Sequence, residues 1–463
     1  MKKSARRQDE PIVGQDWEAA SVQRARRYGR RPKNKLLTGV HIGLALFLIV
    51  SFARAEDWSH GLSVLPLGKI TAALVVIAFL FSIREIRWPL PREAVYLILL
   101  VLQLFVTVPM SPVWPGGAFH KTLEFSKVVL IVVVFISVVT TFRLLSRFLF
   151  IQAASVAAVA AVTLWHGQMK YQRLQSVLGG DYADPNSLAL AIIVSLPLCL
   201  ALMFLSRNRV RKAIWALAML PMLYVIFLTG SRSGFVSFVV TAAVCLWEFS
   251  IRGRRRYLLP VAGLLSLIAL SLAGGMLVNR LSSTFTLNKG QASESAYGSA
   301  QERQELLWRS LVVTAQHPLF GVGPGNFEVI SGNWHVTHNS FTEMSAEGGL
   351  PAFILYVLIL WKGFRNLKLV KRLGRRQARL RLMAKALRAS LMGYVVGAAF
   401  ASTAYEYLPY FLVAYTTALL WIARNSVSPS QEAKPEIPAG TETDLYTLND
   451  GMALPLAAQP SHF

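Results

Sequence analysis

His338, with Asn339 beside it and Glu347 nine residues on, is the side chain in this chain best suited to chemistry. An imidazole of near-neutral pKa can take a proton from an alcohol as the alcohol oxygen forms a new bond. A lone loop histidine is more often solvated than catalytic, and His335 competes with it but has no comparable polar neighbourhood. Upstream, Arg303 and Arg309 lie in a stretch, Gln301 to Gln316, whose spacing predicts an amphipathic helix with Trp308 at headgroup level. His317-Pro318 ends it, because proline disfavours helix in the residue before it. Guanidinium groups grip phosphate bidentately, and a lipid-borne phosphate would sit at that depth.

Between arginines and histidine lies Gly321-Val322-Gly323-Pro324-Gly325-Asn326. It lacks the Gly-Lys-Ser/Thr ending and the preceding strand of a nucleotide-binding P-loop, so Gly323 and Gly325 read first as structural turn residues. Two further segments hold polar side chains between apolar runs. Thr229 to Gly234 is so short that the spans on either side nearly touch, which pins Arg232 at the membrane surface, either snorkelling or binding an anionic head group. Asp184-Pro185-Asn186 opens another span, where Asn186 is placed to cap the helix.

The elements that must position these residues are lipid-embedded helices. Of 463 residues, 54% are hydrophobic and only 16% charged, against roughly 25% charged in soluble domains. About 20 apolar residues cross a bilayer. Twelve runs approach that length, near 36–53, 62–82, 94–110, 122–142, 148–165, 187–206, 213–229, 233–250, 258–278, 350–366, 387–404 and 408–423. The expected fold is therefore an all-α polytopic membrane protein of about 12 transmembrane helices, with a helical loop, 279–349, between spans 9 and 10. Cys199 and Cys245 both fall within spans and imply neither a disulfide nor a thiolate metal site. Lys69, Glu124, Lys127 and Glu248 lie in or at the ends of spans and select no mechanism.

The formal net charge of +24 is explained by topology. Basic residues crowd alternate connections: the stretch before the first span, then Arg84, Arg87 and Arg92, Arg143 and Arg147, Arg207 to Lys212, Arg252 to Arg256, and Lys362 to Arg388. The positive-inside rule puts these connections and both termini in the cytoplasm. Residues 1–35 and 426–463 are polar and aperiodic, and read as flexible cytoplasmic extensions of a 36–425 transmembrane domain. No aromatic-interleaved basic patch supports nucleic-acid binding. Counting spans then sends Asp181 to Asn186, Gly230 to Gly234, the 279–349 loop and Tyr405 to Tyr410 to one outer face. Within that loop, Ser282 to Ser299 reads as a mobile connection.

Arg303 and Trp308, His317-Pro318-Leu319-Phe320-Gly321-Val322-Gly323-Pro324-Gly325-Asn326-Phe327, His338-Asn339 and Glu347-Gly348-Gly349 together resemble the O-antigen ligase and polymerase superfamily. Gly230 to Gly234 and Asp184-Pro185-Asn186 match its pattern in order, and the resemblance covers roughly 36–425. It implies a GT-C-like glycosyltransferase of the bacterial inner membrane that uses no metal or cofactor. Such enzymes move a glycan from an undecaprenyl-diphosphate carrier to lipid A–core, another glycan or a protein hydroxyl on the periplasmic side. Carried over by motif, Arg232 and Arg303 bind the diphosphate, with Arg309 duplicating the local arginine, and His338 activates the acceptor hydroxyl. Asn339, Glu347, Asp184, Asn186, Gly323 and Gly325 would support them. The alternative of another class is a lipid or anion transporter. It suits many spans, but not the absence of a repeat or the gathering of polar residues on one face.

Overall fold

A computed structural model of the chain describes residues 35–58, 62, 64–83, 90–170, 173–253, 255–264, 267, 271, 291–332 and 334–426. The expected polar extensions at the two ends lie outside these residues, apart from Lys35 and Ser426 at their edges. Helices meet each of the first eight expected spans: α1 (Lys35–Ala53), α2 (Leu67–Phe81), α3 (Arg92–Thr107), α4 (Pro115–Val138), α5 (Phe142–His166), α6 (Pro185–Leu205), α7 (Arg209–Leu228) and α8 (Arg232–Cys245). The last runs on through a π-helical turn, Leu246–Ile251. Two short strands, β1 (Gln168–Lys170) and β2 (Arg173–Gln175), pair antiparallel between α5 and α6. The expected ninth span is helical over 258–264 and otherwise falls almost wholly outside the described residues. After it come α9 (Gln291–Gln316), α10 (Ser340–Leu373), α11 (Ala378–Ala398) and α12 (Tyr407–Ser426).

This is a multi-pass helical membrane protein. Five of the described helices, α5, α6, α7, α8 with its π turn and α10, are long and apolar enough to cross a bilayer, and α1 and α2 are apolar but shorter. The others fall short for visible reasons: α3 has 16 residues, and α4 and α11 carry several charges. Helix α6 lies at the centre, with 78% of its apolar window buried, against 28% for α7, which shows its flank outward. It packs on α5, α7, α8 and α11. An aromatic cluster of Phe52, Phe135, Phe148, Phe411 and Tyr415 joins α1, α4, α5 and α12.

Helix starts follow local chemistry. Thr141, Asp184, Asn208, Ser231 and Asn339 each accept a backbone N–H of the first turn, and Pro115 and Pro185 occupy first helical positions. Asp184, not Asn186, is thus the cap of α6. Helix α9 starts at Gln291, so the second half of the expected mobile connection is helical.

Alternate connections gather at two poles. At one, Tyr182 Oη donates to the Phe52 carbonyl at 3.1 Å, Gly179 N to Asp57 at 3.0 Å and Ser111 Oγ to the Val322 carbonyl at 2.6 Å. At the other, the buried Glu248 accepts Arg388 Nη1 at 2.9 Å and also pairs with Lys371. The first pole holds the candidate site.

Candidate functional site

The glycine turn is a docking device. Gly321, Gly323 and Gly325 have φ of 63°, 92° and 76°, in the region L side chains avoid. The turn wraps the start of α10: Val322 N donates to the Ala346 carbonyl and Gly323 N to the Glu347 carbonyl, each at 2.9 Å. Glu347 is buried, and its carboxylate accepts Gly325 N at 2.8 Å and Phe327 N at 3.3 Å. The fully buried Asn326 donates from Nδ2 to Ser111 Oγ at 2.7 Å and to the Val322 and Trp114 carbonyls. Glu347 therefore holds the turn and Asn326 ties it to the α3–α4 connection.

Helix α10 is two segments. Gly349 (φ 76°, ψ 176°) breaks it where the polar stretch gives way to the apolar one. A Cβ there would stand 2.5 Å from the Leu319 carbonyl oxygen, and Leu350 N donates to the Pro318 carbonyl at 2.7 Å. The polar first segment begins immediately after His338. Asn339 caps it, its Oδ1 accepting Phe341 N at 2.9 Å and Thr342 N at 3.2 Å. Ser340 Oγ donates to the Ala401 carbonyl at 2.6 Å and accepts Thr403 N at 2.8 Å, which brings the 399–406 connection alongside. His338 itself has φ 51°. A left-handed histidine held between a capped helix start and a bonded neighbour is aimed by its surroundings, a form of stored strain that recurs at functional sites.

Arg232 is the first residue of α8, after Ser231, whose Oγ accepts Gly234 N at 3.0 Å. Ser231 Oγ also donates to Asn186 Oδ1 at 2.7 Å, while Asn186 Nδ2 donates to Asp184 Oδ1 at 3.1 Å. Asn186 is thus a tie between the α6 cap and the α7–α8 turn.

These segments bring four of the expected residues into one electrostatic neighbourhood. Burial first, then the charge of Arg232, holds the Arg303 guanidinium below its ordinary pKa, with Asp184 and Glu302 acting in the opposite sense. Burial first, then Arg303, holds His338 below the usual imidazole range, again opposed by Asp184 and Glu302. Arg232 thus acts on Arg303, and Arg303 on His338, in one neighbourhood that Asp184 and Glu302 share. His335 belongs here too, contrary to the sequence reading: its Nε2 lies 3.2 Å from Glu302, and its charge acts on His338. Arg309 is engaged differently, bonded to Glu305 at 2.6 Å and to the Ser331 carbonyl, where it anchors the loop after the glycine turn.

Sequence reasoning gave no site role to Arg173 or Glu302 and set His335 aside as a competitor of His338. Arg173 stands in a connection expected on the outer face and otherwise poor in basic residues, which was its one visible signal. Among the described residues, no group of three or more His, Cys, Asp or Glu is arranged to hold a metal ion.

A search of curated protein sequences finds no match to the chain. Against protein-family models, residues 217–357 match the one described as O-antigen ligase. That segment carries Arg232, Arg303, the glycine turn and His338, whereas Asp184 and Asn186 precede it. Over that segment the chain is similar to the O-antigen ligase and polymerase superfamily, whose members are glycan ligases and polymerases.

Proposed function

We propose that the protein transfers a glycan from an undecaprenyl-diphosphate carrier to an acceptor hydroxyl at the periplasmic face of the bacterial inner membrane, in the manner of an O-antigen ligase. One observation carries this reading: Arg232, from the α7–α8 turn, and Arg303 and His338, from two parts of the long connection before the apolar part of α10, share one electrostatic neighbourhood at one pole of the bundle. The crowding of basic residues in the alternate connections supports, by the positive-inside rule, a site on the outer face.

The chemistry follows from the charges. As the bond from the sugar anomeric carbon to the diphosphate oxygen breaks, its electron pair moves to that oxygen. Fixed guanidinium groups of Arg232 and Arg303 stabilise the growing negative charge. Two arginines brought together in a partly buried site gain more from a diphosphate than from a neutral ligand, even with Asp184 and Glu302 nearby. The acceptor hydroxyl attacks the same carbon from the opposite face and gives its proton to His338. A lowered pKa keeps that imidazole unprotonated, and able to act, at neutral pH. Charge stabilisation by arginine is proposed to stand in place of a metal ion. Exposed apolar flanks such as that of α7 offer the polyprenyl tail a lipid-facing approach.

The test is reconstitution in vesicles with a polyprenyl-diphosphate-linked glycan and, separately, lipid A–core, a second carrier-linked glycan and a protein acceptor. Glycosylated acceptor should form together with free polyprenyl diphosphate, and the productive acceptor separates ligase from polymerase and protein glycosyltransferase. Movement of the lipid between leaflets with no transfer to any acceptor would sink this reading and favour a transporter.

A further inference from the structure

The α7–α8 turn poses a mechanical problem. Thr229 ends α7, Gly230 takes φ 55°, and Ser231 already caps α8, so two residues separate the last turn of one helix from the side chain of Arg232. Such a turn leaves carbonyls of α7 without helical partners, and how the turn is held sets where Arg232 starts from.

Arg173, on β2, holds this turn from outside. Its Nε donates to the Thr229 carbonyl at 3.0 Å, and its Nη2 donates to Asn186 Oδ1 at 2.8 Å. The same Asn186 oxygen accepts Ser231 Oγ at 2.7 Å. One planar guanidinium therefore grips the turn on both sides: directly at the residue that ends α7, and through Asn186 at the residue that caps α8. The hairpin that carries it is itself fixed, since Thr163 Oγ1 and Ser176 Oγ lie 2.9 Å apart and Leu174 is buried.

We infer that Arg173 is a positioning residue for Arg232, setting the α7–α8 turn through Thr229 and Asn186 so that Arg232 meets the donor diphosphate beside Arg303. This rests on the reading of Arg232 as a donor-binding residue. Lysine cannot replace arginine here, because a single ammonium cannot present two coplanar donors to the two acceptors. Charge alone is therefore not the requirement.

The experiment measures binding of undecaprenyl diphosphate and steady-state transfer for wild type, R173K, R173Q, R232A and the double variant R173Q/R232A in vesicles, with thermal midpoints for each. R173K and R173Q should each weaken carrier affinity and raise donor KM about tenfold, which is about 1.4 kcal/mol, with acceptor KM and thermal midpoint close to wild type. The double variant should bind the carrier no worse than R232A, since Arg173 acts through Arg232. Wild-type carrier affinity in R173K, or independent multiplying losses in the double variant, overturns the inference. A loss confined to thermal midpoint, with carrier affinity and donor KM unchanged in the folded fraction, overturns it as well. If R232A itself binds the carrier normally, it is the donor-site reading that fails.

Discussion

Two polar regions at the same pole differ in how their polar groups are satisfied. Around the glycine turn, donors and acceptors close on one another: Glu347 takes Gly325 N and Phe327 N, Asn326 takes Ser111 and Trp114, and the backbone of 322–323 takes that of 346–347. Around Arg303 like charges meet: Arg232 lowers the pKa of Arg303 and Arg303 that of His338, with Asp184 and Glu302 opposing both. The first arrangement is closed by hydrogen bonds, and the second is a balance of like and opposite charges. Density of polar residues marks both, and only the kind of interaction they make tells them apart.

Substitutions should divide along the same line. The largest effect is expected for His338→Ala, which should lower transfer by about 10²–10⁴-fold at normal membrane abundance. Near-normal turnover in vesicles would remove His338 as the base. Arg232→Ala and Arg303→Ala should each cost about 10²–10³-fold in turnover and weaken carrier binding, whereas Arg309→Ala should leave carrier affinity near wild type. Equal losses at all three arginines would blur the boundary drawn here.

Glu347→Ala should do the opposite, lowering the thermal midpoint through loss of about 1–3 kcal/mol for each buried donor it orphans, while the molecules still folded keep their turnover number. A folded, inactive Glu347 variant would move this carboxylate into the chemistry.

A subtler effect is expected in the pH profile. Neutral His338 is the active form and its pKa lies below the ordinary imidazole value, so kcat/KM should fall only as pH drops below about 6.5. Asp184 opposes that lowering, so Asp184→Asn should move the acid limb to still lower pH. A shift toward neutrality would contradict the electrostatic arrangement. The smallest expected effect is that of EDTA, which should leave the transfer rate unchanged.

Apolar runs made the helices legible because burial in lipid admits few other structures. The glycine turn was legible too, since positive φ selects glycine. Partnerships across many residues were not. Glu347 read as support for His338 and instead holds the turn, because nothing in the order of residues says which N–H groups a carboxylate will meet. Asn186 read as a cap and is a tie, since Asp184 two residues earlier takes that role. His335 gained a neighbourhood only once α9 placed Glu302 against it. The Ser- and Gly-containing start of α9 read as a loop, but helix propensity is a weak prior where a strong helix follows directly.

Glu248 gives α8 a second anchorage. Its carboxylate is clasped by Lys371 of α10 and Arg388 of α11, about 24 Å along the helix from Arg232 at 1.5 Å per residue. With Ser231 tied to Asn186 at its other end, the helix is a strut pinned top and bottom. A pinned strut neither tilts nor slides without breaking a bond at one of its feet. The arginine at its tip is thus held to a fixed height, and slackening the far clasp would be felt as lost register at the opposite end.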